Sequence, residues 1–418
     1  MDFEAGSATP GPGSRRDTAD AASRADAPLR TRASIQDDDI AAIAGEAGLH
    51  RIHILAWRDL DDPEAGGSEL HASTIARLWA RAGLDVTMRS SAAAGHPTHA
   101  HRDGYRVVRK SGRYAVFPRT ALSGLVGRTG QRDALVEVWN GMPFFSPAWA
   151  RCPRVVFLHH VHAEMWRMVL KPEILARLGE MLEFTLAPPV YRRSRIITLS
   201  SSSKQEIVEM LRLPEENISV VNPGVDPRFT PGGVRSPHPL VVAAGRLVPV
   251  KRFEMLVDTL VELRSRHPSL EAVIVGEGYE RPALEARIRA AGADGWLTMP
   301  GHISDSDLLA LYRRAWVLAS TSLREGWGMT VTEAAACGTP AVVTRIAGHL
   351  DAVDHGASGF LAEGPELTHH LDLVLGDQAL RRRLGAGALE LASRFTWEAT
   401  ARGTLEALAS AAAARHRR

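Results

Sequence analysis

Cysteine is scarce. Cys152 and Cys337 are the two in 418 residues, too few for a disulfide framework and without the paired spacing of a metal site, which points to buried or near-site thiols in a reducing compartment. Long apolar runs are missing too. No stretch of 18 or more apolar residues is present to span a bilayer, and the N-terminus MDFEAGSATPGPGSRRDTAD lacks the apolar segment of a secretory signal. The expected location is therefore the cytoplasm. Nor is there an excess of one charge: a net +2 gives no reason to expect nucleic acid as a partner. One local imbalance stands out between His101 and Arg132, with Lys or Arg at 102, 106, 109, 110, 113, 119, 128 and 132 against the single acid Asp103. Such a stretch reads as a solvated basic face or as a surface for phosphates or an anionic membrane.

What is present is a globular composition, 45% hydrophobic, in a chain long enough for two domains of about 150 to 200 residues each. Residues 1–33 hold almost no large apolar groups and read as a disordered tail. From His50 short apolar runs alternate with amphipathic ones: RIHILAW, SELHASTIARLWARAG and DVTMRSS read as strand, helix, strand. ALVEVWN, PRVVFLHH, RIITLSS and ISVVNPG continue the strands, SKQEIVEMLRL is helical, and GYRVVRKSGRYAVF reads as a hairpin. Alternation of this kind predicts an α/β domain over 34–224, a parallel sheet covered on both faces. The stretch VDPRFTPGGVRSPHP, 225–239, loses the periodicity and reads as a linker. A second alternating series occupies 240–394, from PLVVAAG through FEMLVDTLVELRSRHP, LEAVIVGEG, ERPALEARIRAAG, WLTMPGH, DSDLLALYRRA and WVLAST to TPAVVTRIAG. FTWEATARGTLEALASAAAA, within 395–418, is a last helix that could cross back to the first domain. Two doubly wound domains facing across a cleft are expected, with ligands beyond the carboxyl ends of the strands.

The stretch STSLREGWGMTVTEAAACGTP carries two carboxylates, Glu325 and Glu333, around Gly326-Trp327-Gly328. Glycines there let a loop backbone approach a ligand closely. Thr330-Val-Thr-Glu333 also fits a helix capping box, so Glu333 has a purely structural alternative. AAGRLVPVKR puts Gly245 and Arg246 at a strand end and Lys251 near the next helix, where two cations can stand over an anion; solvated loop residues are the plainer alternative. Gly66 and Gly67 lie between the first strand and first helix, where backbone amides and the helix dipole favour a phosphate. They form neither GxGxxG nor GxxxxGK[ST], so hydride transfer and ATP hydrolysis lose support.

Taken together, GGSE at 66–69, VVNPGVD at 220–226, GRLVPVKR at 245–252, VGEG at 275–278, GHISDSDLLALYRRA at 301–315 and REGWGMTVTEAAACGTPAV at 324–342 resemble the retaining glycosyltransferases of family four. The resemblance implies a GT-B fold of two Rossmann-like domains, the C-terminal one binding a nucleotide sugar and the N-terminal one the acceptor. It implies that Arg246 and Lys251 neutralise the donor diphosphate, that Glu325 holds hydroxyls of the donor sugar and that Glu333 holds the ribose. Gly245, Gly276 and the loop Gly326-Trp327-Gly328-Met329-Thr330 would line the donor. His159, after the strand VVFL, matches a histidine that points into the cleft, with His162 as the second candidate; a hydrogen-bonded structural histidine is the alternative.

No nucleophilic carboxylate pair of the retaining glycosidase kind emerges, so the implied mechanism is front-face attack through an oxocarbenium-like transition state. The donor, GDP- or UDP-linked, is a substrate, and no cofactor or metal is expected. Asp59-Leu60-Asp61 resembles the D-x-D metal motif of another transferase fold but reads as a polar turn. Val250, Arg252, Trp316 and Ala347-Gly348 depart from the family pattern, which bears on loop shape and acceptor identity. The acceptor is expected to be a glycan, a lipid or a small molecule. A membrane-borne one would suit the basic segment and MWRMVLKPEILARLGEML, whose alternatives are a solvated hairpin and an ordinary amphipathic helix. A nucleotide-sugar epimerase and a non-catalytic sugar-nucleotide-binding protein are the rival readings.

Overall fold

The computed structural model describes residues 32–417. Nearly all of the N-terminal tail expected at 1–33 lies outside the described residues. The remainder forms two sheets. The first has eight strands: β1 Arg51–Leu55, β2 Asp85–Ser90, β3 His99–Arg102, β4 Tyr105–Arg109, β5 Ala134–Trp139, β6 Arg154–Leu158, β7 Arg195–Thr198 and β8 Ile218–Val220, in the order β3-β4-β2-β1-β5-β6-β7-β8. The second has six: β9 Leu240–Ala244, β10 Glu271–Val275, β11 Leu297–Gly301, β12 Val317–Ser320, β13 Ala341–Thr344 and β14 Gly359–Ala362, in the order β11-β10-β9-β12-β13-β14. Every pairing is parallel except β3 with β4. Strands such as ALVEVW and AVVT are buried along their whole length, as a sheet covered by helices on both faces requires.

Strand order reverses between β1 and β5 in the first sheet and between β9 and β12 in the second. At such a switch point the connections leave in opposite directions and open a crevice at the carboxyl ends. The loops after β1, β6, β9 and β12 carry Gly66, His159, Arg246 and Glu325, which is why these distant residues share one region.

One expected element is different. The hairpin read over 104–117 is instead β3 with β4, turning at Asp103 and Gly104, both at positive φ. The expected second arm starts the helix Val116–Leu125, whose Val116 and Phe117 pack with Leu55, Leu135 and Trp149. The apolar run AVF suits strand or helix, and packing against the sheet makes it helix. The helices Arg32–Glu46, Glu366–Gly376 and Gln378–Ala392 and the strand β14 are among the elements beyond those expected from the sequence.

The chain passes between the domains twice, side by side. The Val225 N–H donates to the Phe395 carbonyl (3.2 Å), and a Cβ on Gly224 would lie 2.0 Å from the Trp397 nitrogen. Beyond this crossing the helix Trp397–His416 joins the core of the first domain, contributing Trp397, Ala401, Leu405, Leu408 and Ala412. The Trp79 indole donates to the Ala401 carbonyl at 3.0 Å. No described helix is long and apolar enough to cross a membrane.

Candidate active site

Gly245 and Arg246 follow β9 directly, and Lys251 ends the short 3-10 turn Pro249–Lys251 before the helix Phe253–Arg266. A Cβ on Gly276, at φ 137°, would collide with the Gly245 carbonyl oxygen at 1.9 Å. Gly276 thus lets the ends of β9 and β10 close together beneath the site. Lys251 makes an ion pair with Glu325, whose Oε1 also accepts from the Ser322 hydroxyl at 2.8 Å. Burial alone would raise the Glu325 carboxyl, but the Lys251 ammonium and neighbouring His349 outweigh it and hold it down to about 2. His349 is fully buried, and its Nδ1 donates to the Thr344 carbonyl at 2.9 Å and lies 3.4 Å from the Thr344 hydroxyl.

Glu333 occupies a different place. The helix begins at Met329 with Gly328, φ 97°, as its N-cap and no side-chain cap bond. Thr330 and Glu333 therefore lie two positions too deep for a capping box, which corrects that reading. The Glu333 carboxyl instead receives the Tyr312 hydroxyl at 3.4 Å, and withdrawal from water, with Asp226 and Asp305 nearby, pushes it up to about 8. Trp327 turns inward: it is 2% exposed, with its ring edge-on to Phe395 at 4.8 Å. Its side chain anchors the loop, leaving the backbone between Glu325 and Met329 as the part that can meet a ligand.

The first domain faces this loop closely. A Cβ on Gly326 would stand 2.7 Å from the His159 carbonyl oxygen, and one on Gly67 3.2 Å from the Met329 sulfur. Arg246 reaches the Glu64 carbonyl at 3.4 Å and passes Gly66, where a Cβ would be 3.5 Å from its Nε. The Gly66 amide is not free for a phosphate, since it donates to Glu69 Oε2 at 2.8 Å, and Glu69 is buried against Arg58. A carboxylate from the helix itself thus occupies the N-terminus that was expected to receive an anion.

The His159 ring does not point into the cleft as expected. It is 4% exposed and its Nε2 lies 3.2 Å from Nδ1 of His71 on the helix Gly67–Arg81, beneath the loop. His160 and His162 face the other way, and the charges of Arg246 and Arg324 act on both. Burial holds them neutral, at about 3 and about 4. His160 Nε2 and His162 Nδ1 are buried and have no partner. The turn that carries them is fixed by Glu183, which accepts from the His162 amide at 2.7 Å, the Ala163 amide at 3.0 Å and the Trp166 indole at 2.8 Å.

Several groups that hold the two faces together carried no sequence signal or were passed over. Asp351 accepts from the Ser201 and Ser202 amides of the first domain at 2.8 and 3.0 Å. The Ser200 and Ser203 hydroxyls donate to the Gly326 carbonyl at 3.4 and 3.2 Å. Arg324 pairs with Glu164 at 3.0 Å and also with Glu206. Asp59 is consumed by Arg109 and Ser90, so the D-x-D is part of a buried ion-pair network. Among the described residues no group of three His, Cys, Asp or Glu is placed to hold a metal ion. Half of the basic stretch is neutralised: Arg102, Arg106, Arg109 and Arg113 pair with Asp61, Asp85, Asp59 and Asp62, and Arg109 is 2% exposed.

Comparison with known proteins bears on the family and the fold. The description "Glycosyltransferase Family 4" matches residues 65–229 and "Glycosyl transferases group 1" matches 229–390, so the two run without a break through both domains. A D-inositol 3-phosphate glycosyltransferase of Stackebrandtia nassauensis is 34% identical over 242 residues, 52% of this chain and 54% of that protein. The chain thus spans about half the length of such curated relatives. Among solved structures, sucrose-phosphate synthase from Thermosynechococcus elongatus superposes with a TM-score of 0.72 at 18% identity, over 84% of this chain and 96% of that one. Anabaena Alr3699/HepE in complex with UDP and glucose gives 0.66 at 19%, over 85% and 97%. At these identities the likeness concerns the fold, which is GT-B.

Proposed function

Because the chain belongs to the group 1 glycosyltransferases of family 4, we propose that it moves a hexosyl group from a nucleotide diphosphate sugar to an acceptor hydroxyl, with retention at the anomeric carbon. The observation that carries this reading is the grouping of Arg246, Lys251 and Glu325 at the switch point of the second sheet, facing neutral His160 and His162 of the first domain. Arg246 and Lys251 take the diphosphate. As the bond from the anomeric carbon to phosphate oxygen breaks, its electron pair stays with the phosphate, and fixed cations stabilise that developing charge without rearranging. The acceptor oxygen attacks from the same face and its proton passes to the departing phosphate oxygen. Glu325 receives sugar hydroxyls, Glu333 the ribose hydroxyls, and the backbone at Gly326, Gly328, Met329 and Thr330 lies along the donor. The unpartnered nitrogens of His160 and His162 are offered to the acceptor, a role that replaces the one expected of His159. No metal is required, since the cations supply the charge.

The acceptor named for the relatives, D-inositol 3-phosphate, and the UDP and glucose bound in the neighbouring structure supply the first members of a test panel. Full-length protein is incubated with UDP- and GDP-sugars, with and without acceptors, and products are read by NMR. Release of nucleoside diphosphate coupled to a new glycoside of unchanged anomeric configuration, insensitive to EDTA, is expected. Donor turnover without an acceptor would identify an epimerase instead, and binding without turnover a non-catalytic protein.

Peripheral membrane contact of a cytoplasmic enzyme is proposed through the helix Glu173–Met181. Ile174, Leu175, Leu178 and Met181 are exposed on it, an apolar face suited to lie in a bilayer interface. This replaces the basic stretch as the contact surface, because four of its arginines are already paired.

A further inference from the structure

Two arginines of the first domain stand together without a carboxylate partner among the described residues. Arg89, on β2, donates to the Thr129 carbonyl, and Arg132 donates to the Thr129 hydroxyl. Thr129 is 4% exposed, in the segment between the helix Val116–Leu125 and β5. Burial is the largest unfavourable effect on the Arg89 guanidinium, and the guanidiniums of Arg132 and Arg106 add to it. Arg106 has its own partner in Asp85.

The sheet beneath is built to match. His53 on β1 and Thr87 on β2 are cross-strand partners, Thr87 in turn faces Arg106 on β4, and Arg89 lies one pleat along from Thr87 on the same face. His53 and Thr87 are 4% and 3% exposed. His53 Nδ1, Thr87 Oγ1, Arg89 Nε and Arg132 Nε are all buried without a hydrogen-bond partner among the described residues. Native proteins leave few such groups unmade, and four in one place call for an occupant. A histidine can meet this situation by staying neutral, and burial with Arg89, Arg132 and Arg106 nearby holds His53 down at about 3. An arginine has no such escape, because its guanidinium does not lose its proton in a protein. Removed from water, an arginine pair wants an anion with several acceptor oxygens.

We propose that His53, Thr87, Arg89 and Arg132 hold a free tetrahedral oxyanion, phosphate or sulfate, between the sheet and the segment 126–132. The site is separate from the Arg246 and Lys251 cations, and its ion ties that segment to the sheet. Arg132 also lies over the Trp149 ring, 5.7 Å from its centroid, so the same ion steadies a contact between the segment and the helix Ser146–Trp149.

The test uses full-length protein titrated with inorganic phosphate and, in parallel, sulfate, against chloride at equal ionic strength. Phosphate also competes for the cleft, so the double variant Arg246→Ala/Lys251→Ala is measured beside wild type and Arg132→Gln. Thermal stability should rise with phosphate by on the order of a few degrees near saturation in wild type and in the double variant, and stay flat in Arg132→Gln. Stabilisation lost in the double variant but kept in Arg132→Gln would place the ion in the cleft and overturn the proposal, as would no stabilisation in any of them. If Arg132→Gln does not fold, broadening of the phosphate 31P resonance by the double variant decides: it must persist there, and its absence refutes the site.

Discussion

Lys251 and Glu325, expected from sequence to hold the diphosphate and the sugar of a donor, are bound to one another. The Lys251 ammonium keeps the Glu325 carboxylate charged, so the carboxylate does not have to change protonation when a donor arrives. Replacing Lys251 by Ala removes a transition-state cation and is expected to lower kcat by about 10² to 10³ with little loss of Tm. Lys251→Ala/Glu325→Gln should cost less than the sum of the single changes, because the pair acts as a unit. Near wild-type kcat in Lys251→Ala would remove it from the mechanism.

Glu333 gives a pH dependence of determined sign. Its folded value, about 8, stands above its ordinary value of 4.5. The folded state therefore holds a proton that the unfolded state gives up, and the associated stability is full below pH 4.5 and is lost as pH rises through 8. Urea unfolding of Glu333→Gln and wild type across pH 5 to 9 should show the gap moving in favour of the variant as pH rises. A gap independent of pH would refute the buried, proton-holding carboxyl.

Asp351 receives two amides at the start of the helix Ser201–Leu211 from across the cleft. A carboxylate there also meets the positive end of the helix dipole. Asp351→Ala should cost about 0.5 to 2 kcal/mol of closure without unfolding either domain. Small-angle scattering would then record a larger radius of gyration for the free protein, with a raised KM for the donor. An unchanged radius and KM would mean that the contact does not hold the domains together.

Gly224 lies where the two interdomain crossings touch. The Cβ of Gly224→Ala would meet the Trp397 and Thr396 backbone at 2.0 to 2.4 Å, atoms that cannot rotate aside. A loss near the upper end of the usual 1 to 3 kcal/mol for overpacking, about 3 kcal/mol, is expected in chemical denaturation. Gly403→Ala, with a Cβ at 3.3 Å from the Val221 side chain, should be milder. Equal stability of Gly224→Ala and wild type would show that the crossings part easily.

For the bilayer, flotation with anionic vesicles should recover wild-type protein and lose Ile174→Glu/Leu178→Glu. Both side chains are exposed at 71% and 46%, so the variant folds. Wild-type protein that stays with the soluble fraction at low salt would refute the contact.

The sequence by itself determined the fold class and the region of the site. Buried strands such as LVVAA and AVVT alternate with amphipathic helices, and short-range periodicity of that kind records which face each residue must hide. Glycines at strand ends with charged residues just beyond them made Arg246, Lys251 and Glu325 candidates, but solvated loops fitted the same pattern, and their roles came only from the resemblance carried by six motifs together. Their mutual pairing was not, because it depends on how two separate sheets present their loops. The hairpin read over 104–117 failed for a related reason: AVF is apolar enough for strand or helix, and packing on Leu55 and Trp149 decided. Only tertiary structure turned His159 inward to His71 and left His160 and His162 facing Arg246. It placed Asp351 on an amide pair 150 residues away and paired four arginines of the basic stretch with Asp59, Asp61, Asp62 and Asp85. Periodicity reports local burial, whereas the partner of a charge is set by the cost of leaving it alone in a low dielectric, which is felt only after distant segments have met.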